Sequence, residues 1–79
     1  MKPDQLAKEA ARLKDDEFFN STLDHIRANA LDDLATADAD NKTMILRLQQ
    51  KAAVIDEIRT TLDRYIMAAE VQENAGSFA

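Results

Sequence analysis

Few side chains in this sequence are of a kind and spacing that supports chemistry. Ser21 and His25 stand four residues apart, a spacing that puts both on one face of a helix and pairs a hydroxyl with a base. Acyl transfer needs more than that pair: a third group to orient the base, donors for the developing oxyanion, and a cleft that excludes water. No glycine-rich turn supplies such donors here, so His25 reads as a solvent-facing or interface histidine and no catalytic residue is expected. Carboxylates are abundant, among them Asp15, Asp16, Glu17, Asp32, Asp33, Asp56 and Glu57. A di-iron site in a helical bundle would add Glu-x-x-His elements, and a calcium loop would add a central glycine. Neither pattern is present, so no metal and no cofactor is implied.

The cations are the more informative charges. The stretch 15–40 carries many acids and one base, Arg27, whereas the following stretch carries Lys42, Arg47 and Lys51 before its first acid at Asp56. If the two stretches lie side by side, Asp32 and Asp33 face Arg47 and help to fix the pairing. The sharper alternative is a basic strip of Lys42, Arg47 and Lys51 that meets phosphate; for a small anionic ligand held between subunits, Arg47, Lys51, Arg59 and Arg64 are the candidate contacts, with Tyr65 beside them. No aromatic platform or glycine-rich loop accompanies the strip, and the net charge is −5, so nucleic acid is not an expected partner.

The elements that must carry these side chains are helices. Ile45, Leu48, Ala52, Ile55, Leu62, Ile66 and Ala69 recur at alternating intervals of three and four, or their sum, with Arg59 in the one apolar slot left empty. A charge in that seam must find a partner or reach water, and Asp15, Asp16 or a carboxylate of another subunit would serve. Phe19, Leu23, Ile26, Ala30 and Leu34 form a similar stripe earlier, and Leu6, Ala10 and Leu13 a shorter one. Pro3 and Asp4 suit a helix start, while Asp15 or Asp16 would cap a second helix unless the first two segments form one bent rod. Asp38-Ala39-Asp40-Asn41 is the strongest turn signal, with Asp38 or Asp40 as the cap of the third helix.

The expected fold is therefore all-α, an antiparallel helical hairpin with a short N-terminal helix, built from helices at about 4–14, 17–37 and 40–71 of a single domain, 1–71. At about 1.5 Å per residue the third helix reaches about 48 Å and the second about 32 Å, so the first is needed to cover the far end near Leu62 and Ile66. Residues 72–79 mix polar side chains with the only glycine and read as a loose tail, in which Phe78 either frays or plugs a neighbour's groove.

A chain of 79 residues with no cysteine and one histidine has neither disulfide nor metal to reinforce a small core, and self-association is the remaining aid. Phe18, Leu31, Leu46, Val54, Ile58 and Tyr65 exceed what one partner helix can cover and are the expected oligomer interface, giving an oligomeric helical bundle. No apolar run approaches the roughly 20 residues of a membrane span, and Met1-Lys2-Pro3-Asp4 lacks the apolar core of a secretion signal. A cytoplasmic, non-enzymatic protein is expected.

Three segments, Leu13-Lys14-Asp15-Asp16-Glu17-Phe18-Phe19, Leu23-Asp24-His25-Ile26-Arg27, and Val54-Ile55-Asp56-Glu57-Ile58-Arg59 followed by Leu62, together carry a resemblance. In this order of residue types the chain resembles the small acidic helical-hairpin proteins of tailed bacteriophages, often encoded close to head and DNA-packaging genes. The resemblance implies a homo-oligomeric virion, assembly or packaging component, in the host cytoplasm or the virion, with a larger phage or host protein as a further partner. The alternative it implies is a small oligomeric accessory protein that binds a host defence component or nucleotide signal at subunit interfaces.

Overall fold

The computed structural model describes the backbone of residues 1–77 and the side chains of residues 1–71. Within them lie three α-helices and no strand: α1 Pro3–Asp15, α2 Glu17–Thr36 and α3 Lys42–Ser77. The all-α class read from the periodicity is the class observed.

Each boundary has a local cause. Pro3 occupies the first helical position, where its missing N–H costs nothing, and the Gln5 side-chain oxygen accepts from the Lys2 backbone N–H at 3.1 Å. Asp16 leaves helical geometry, with φ −77° and ψ 111°, so α1 and α2 are two helices and not one bent rod. It serves both neighbours. Its backbone N–H donates to the Leu13 carbonyl at 3.1 Å, and its carboxylate accepts from the Phe19 N–H at 2.8 Å as the N-cap of α2. At the other turn the Asp38 side chain accepts from the Asp40 N–H at 2.9 Å, folding the chain back on itself. The cap of α3 is Asn41, whose side-chain oxygen accepts from the Met44 N–H at 3.1 Å. Asp38 and Asp40, the caps expected from the sequence, shape the turn instead, and the helix starts at Lys42.

α3 also runs further than its apolar pattern, to Ser77 where the expected helix ended at 71. Glu73 and Ala75 are good helix formers, and one glycine costs only about 1 kcal/mol in a helix that has no proline to stop it. Phe78 lies outside the described residues.

α1 and α2 each pack along α3 and meet one another only around their junction. Among the described residues three ion pairs tie the rows together: Arg27 with Asp56 at 3.0 Å, Arg59 with Asp24 at 2.6 Å, and Lys14 with Asp63. As the number falls along α2 and into α1, it rises along α3. With 13 and 20 residues, α1 and α2 laid end to end match the 36 residues of α3, so α1 covers the far half that α2 is too short to reach. The body is a rod of 59 × 24 × 18 Å, and its radius of gyration of 17.2 Å far exceeds the roughly 12 Å of a compact chain this long.

Two rows of helix enclose little. The buried residues among those described are Ala10, Leu23, Ala30, Leu48, Ala52 and Ile55, and half of them are alanine. Leu6, Leu13, Phe19, Ile26, Leu34, Ile45, Leu62, Ile66 and Ala69 sit half-buried along the edges of the seam. The seam read from the sequence is the face that packs, but a two-layer rod leaves its edges open to solvent.

Candidate interaction surface

The polar cluster at the α1–α2 junction centres on Asn20. Its side-chain Nδ2 lies 3.1, 2.9 and 2.7 Å from the carbonyl oxygens of Leu13, Lys14 and Asp16, where α1 ends, and so adds a side-chain donor to the backbone donors that the Leu13 and Asp16 carbonyls already have. The Asn20 carbonyl in turn accepts from Arg59 Nη2 at 3.2 Å, while the same nitrogen pairs with Asp24 at 2.6 Å. Arg59 thus fills the empty slot of the α3 seam by turning its guanidinium along α2. Asp15 and Asp16, the partners expected across the chain, are not the ones used: Asp16 is spent on the cap, and Asp24 lies one α2 turn beyond Asn20.

The charge pairing along α2 and α3 also differs from the expected one. Among the described residues Arg47 forms no ion pair with Asp32 or Asp33. Arg27 meets Asp56 instead, with its Nε at 3.0 Å from Oδ1 and Nη2 at 3.4 Å from Oδ2. The lone base of the acidic stretch therefore finds the first acid of the basic stretch. These pairs are solvent-washed, with side chains 33–69% exposed, so each specifies alignment more than it adds stability.

One open feature lies along α3. Val54, Glu57, Ile58, Thr61 and Leu62 line a shallow groove of about 320 Å³. Val54 is 50% exposed and Tyr65 38%, and Ile58 is half-buried. Arg47, Lys51, Val54, Ile58, Thr61 and Tyr65 follow one another at intervals of four and three, the same rhythm as Leu48, Ala52, Ile55, Arg59 and Leu62. α3 therefore carries two parallel stripes one residue out of step, about 100° apart around the helix. One is covered by α1 and α2. The other is open.

The remaining expected interface residues do not join this stripe. Leu46 is 54% exposed but lies about 80° around α3 from Val54. Phe18, 82% exposed, and Leu31, 40% exposed, fall on different sides of α2, roughly 140° apart. The expected cationic set also divides. Arg47 and Lys51 stand in the open stripe, Arg64 beside it, and Arg59 is committed to Asp24; Arg47 and Arg64 are about 25 Å apart along the axis. A single small anion cannot bridge them.

Ser21 and His25 are both exposed and line neither this groove nor the second one, at the α2–α3 turn, where Asp33, Thr36, Asp38, Asn41 and Met44 surround about 330 Å³. Among the described residues no cluster of histidine and carboxylate side chains is arranged to hold a metal ion, and no helix is long and apolar enough to cross a membrane. No protein-family model, curated protein or solved structure matches the chain.

Proposed function

We propose that this chain is a non-catalytic helical module that works by assembling with copies of itself: an antiparallel helical hairpin with α1 extending the short arm, packed into an oligomeric bundle. The observation that carries the reading is the imbalance between inside and outside. Among the described residues six are buried, while nine large apolar side chains are exposed. The chain exposes 6157 Å², against about 4,800 Å² for a compact monomer of 8.8 kDa. A surplus of that order, part of it beside the groove at Val54 and Tyr65, is typical of surface that a partner removes from water.

The biological setting we propose follows the resemblance to small tailed-phage proteins: an assembly or packaging accessory, with a larger phage or host protein as its eventual client. The dispersal of Arg47, Lys51, Arg59 and Arg64 along the rod favours assembly over nucleotide capture. Light scattering coupled to size exclusion at micromolar concentration tests the reading. The expected mass is a multiple of 8.8 kDa, unchanged by nucleotides. A monodisperse, thermally stable monomer would overturn it, and a nucleotide-dependent rise in melting temperature would turn it toward ligand binding.

A further inference from the structure

The open stripe on α3 has a charge pattern that specifies its own partner. We infer that a second copy of this chain docks there with its α3 antiparallel, so that Val54 packs on Tyr65 of the copy and Ile58 on Thr61 of the copy, with Glu57 facing Arg64 across the contact. This deepens the self-assembly reading and rests on it.

The argument begins with periodicity. Lys51, Val54, Ile58, Thr61, Tyr65 and Ala68 alternate by three and four and form the seam of a two-stranded coil. Their fellow stripe, shifted by one residue, already holds α1 and α2, so a helix laid in the open stripe completes a second contact without disturbing the first. The side chains match in size across an antiparallel pairing. The half-exposed Tyr65 meets the smaller Val54, and Ile58 meets Thr61, around the groove that Val54, Glu57, Ile58, Thr61 and Leu62 line.

Charge then selects direction and register. A parallel, in-register pair would set Lys51 against Lys51 of the copy and Arg47 against Arg47 of the copy inside the seam, with no acid to relieve them. Antiparallel packing separates those cations to opposite ends. Glu57 and Arg64 both flank the seam on the same side, one heptad apart, and both are exposed. In the proposed register each Glu57 meets the copy's Arg64, twice by symmetry. Sliding by one heptad in one direction would bring Arg64 against Arg64, and in the other Glu57 against Glu57. Only one register is free of that repulsion.

The two-fold axis of an antiparallel pair runs normal to the plane of the two α3 helices. Because the covered and open stripes are about 100° apart, both α1–α2 rows then lie on the same side of that plane, and the product is a four-rod bundle of roughly square section.

Charge reversal tests this directly. Glu57→Arg and Arg64→Glu alter exposed side chains, so each variant is expected to keep wild-type helicity by circular dichroism. Each alone should weaken the dimer by about tenfold in sedimentation equilibrium, and the double reversal should restore it. The two single variants mixed should form a heterodimer tighter than either homodimer. A spin label at Gln50→Cys in an otherwise cysteine-free chain should report about 30 Å between copies, against about 10–15 Å for parallel helices. A wild-type dimer indifferent to both reversals, or a short label distance, overturns this inference and leaves self-assembly standing. A wild-type monomer overturns both.

Discussion

Ile55→Ala is the sharpest test of where the small core lies. Ile55 is 5% exposed, and it is the one β-branched side chain on the buried face of α3 between Leu48 and the half-buried Leu62. The substitution removes three carbons, worth about 2.4 kcal/mol at roughly 0.8 kcal/mol each. A residual cavity adds little, because a two-row rod has open edges into which neighbouring side chains can settle, so the expected loss is about 2.5 kcal/mol, near the low end of such substitutions. A chain of 79 residues has about 4–12 kcal/mol in total, and six buried residues argue for the lower part of that range. More than a third of the stability should therefore go, appearing as a drop of about 10–20 °C in melting temperature. The assay is thermal and urea unfolding followed by circular dichroism, at a concentration where wild type and variant have the same mass. Met67→Ala is the control: Met67 is 61% exposed, on the far side of α3, and its loss should stay within about 0.5 kcal/mol. Should Ile55→Ala unfold the chain outright, Ile55→Val gives the graded step of about 1 kcal/mol. A change in Ile55→Ala no larger than in Met67→Ala would refute the packing of α3 described above.

Three further outcomes follow from single contacts. Asn20→Ala should cost about 1–2 kcal/mol in urea unfolding, because it strips the only side-chain donor found among the described residues from the carbonyls of Leu13, Lys14 and Asp16, and Asn20→Asp should restore none of it. Arg59→Met should change stability by less than about 1 kcal/mol and in the favourable direction, since it trades a partly solvated ion pair for apolar packing in the seam; a loss above 2 kcal/mol would show that Asp24 and the Asn20 carbonyl contribute far more than surface pairs do. Val54→Asp should keep the helical signal of the monomer while reducing the mass toward 8.8 kDa, and an unchanged oligomer would remove the open stripe from the interface.

Much of the architecture was legible because it is periodic. The three apolar stripes are local sums over neighbouring residues, so the helices and the packing face of α3 can be read without knowing what they touch. The need for α1 along α3 follows from lengths alone. Details that depend on competition between similar groups were not legible. Asp15 and Asp16 are equivalent as letters, as are Asp38, Asp40 and Asn41, and only the path of the backbone shows which oxygen faces the free N–H groups. The helix runs past the apolar stripe because the polar residues at 72–77 end the stripe without breaking the helix; burial and helicity are separate requirements.

Charge partners divide along the same line. That Arg59 must leave an apolar seam is dictated by desolvation and needs no structure. That it leaves toward Asp24 and the Asn20 carbonyl depends on how far α2 is offset along α3, a rigid-body quantity that no local pattern encodes. The apolar excess was equally plain in the sequence, whereas the face left uncovered was not. Spacing puts Val54, Ile58 and Tyr65 on one stripe and Leu46 on another, but only the packing of α1 and α2 shows that the stripe of Val54 is the one left open. Composition sets how much surface must be covered, and tertiary structure decides which side of the helix is left to cover it.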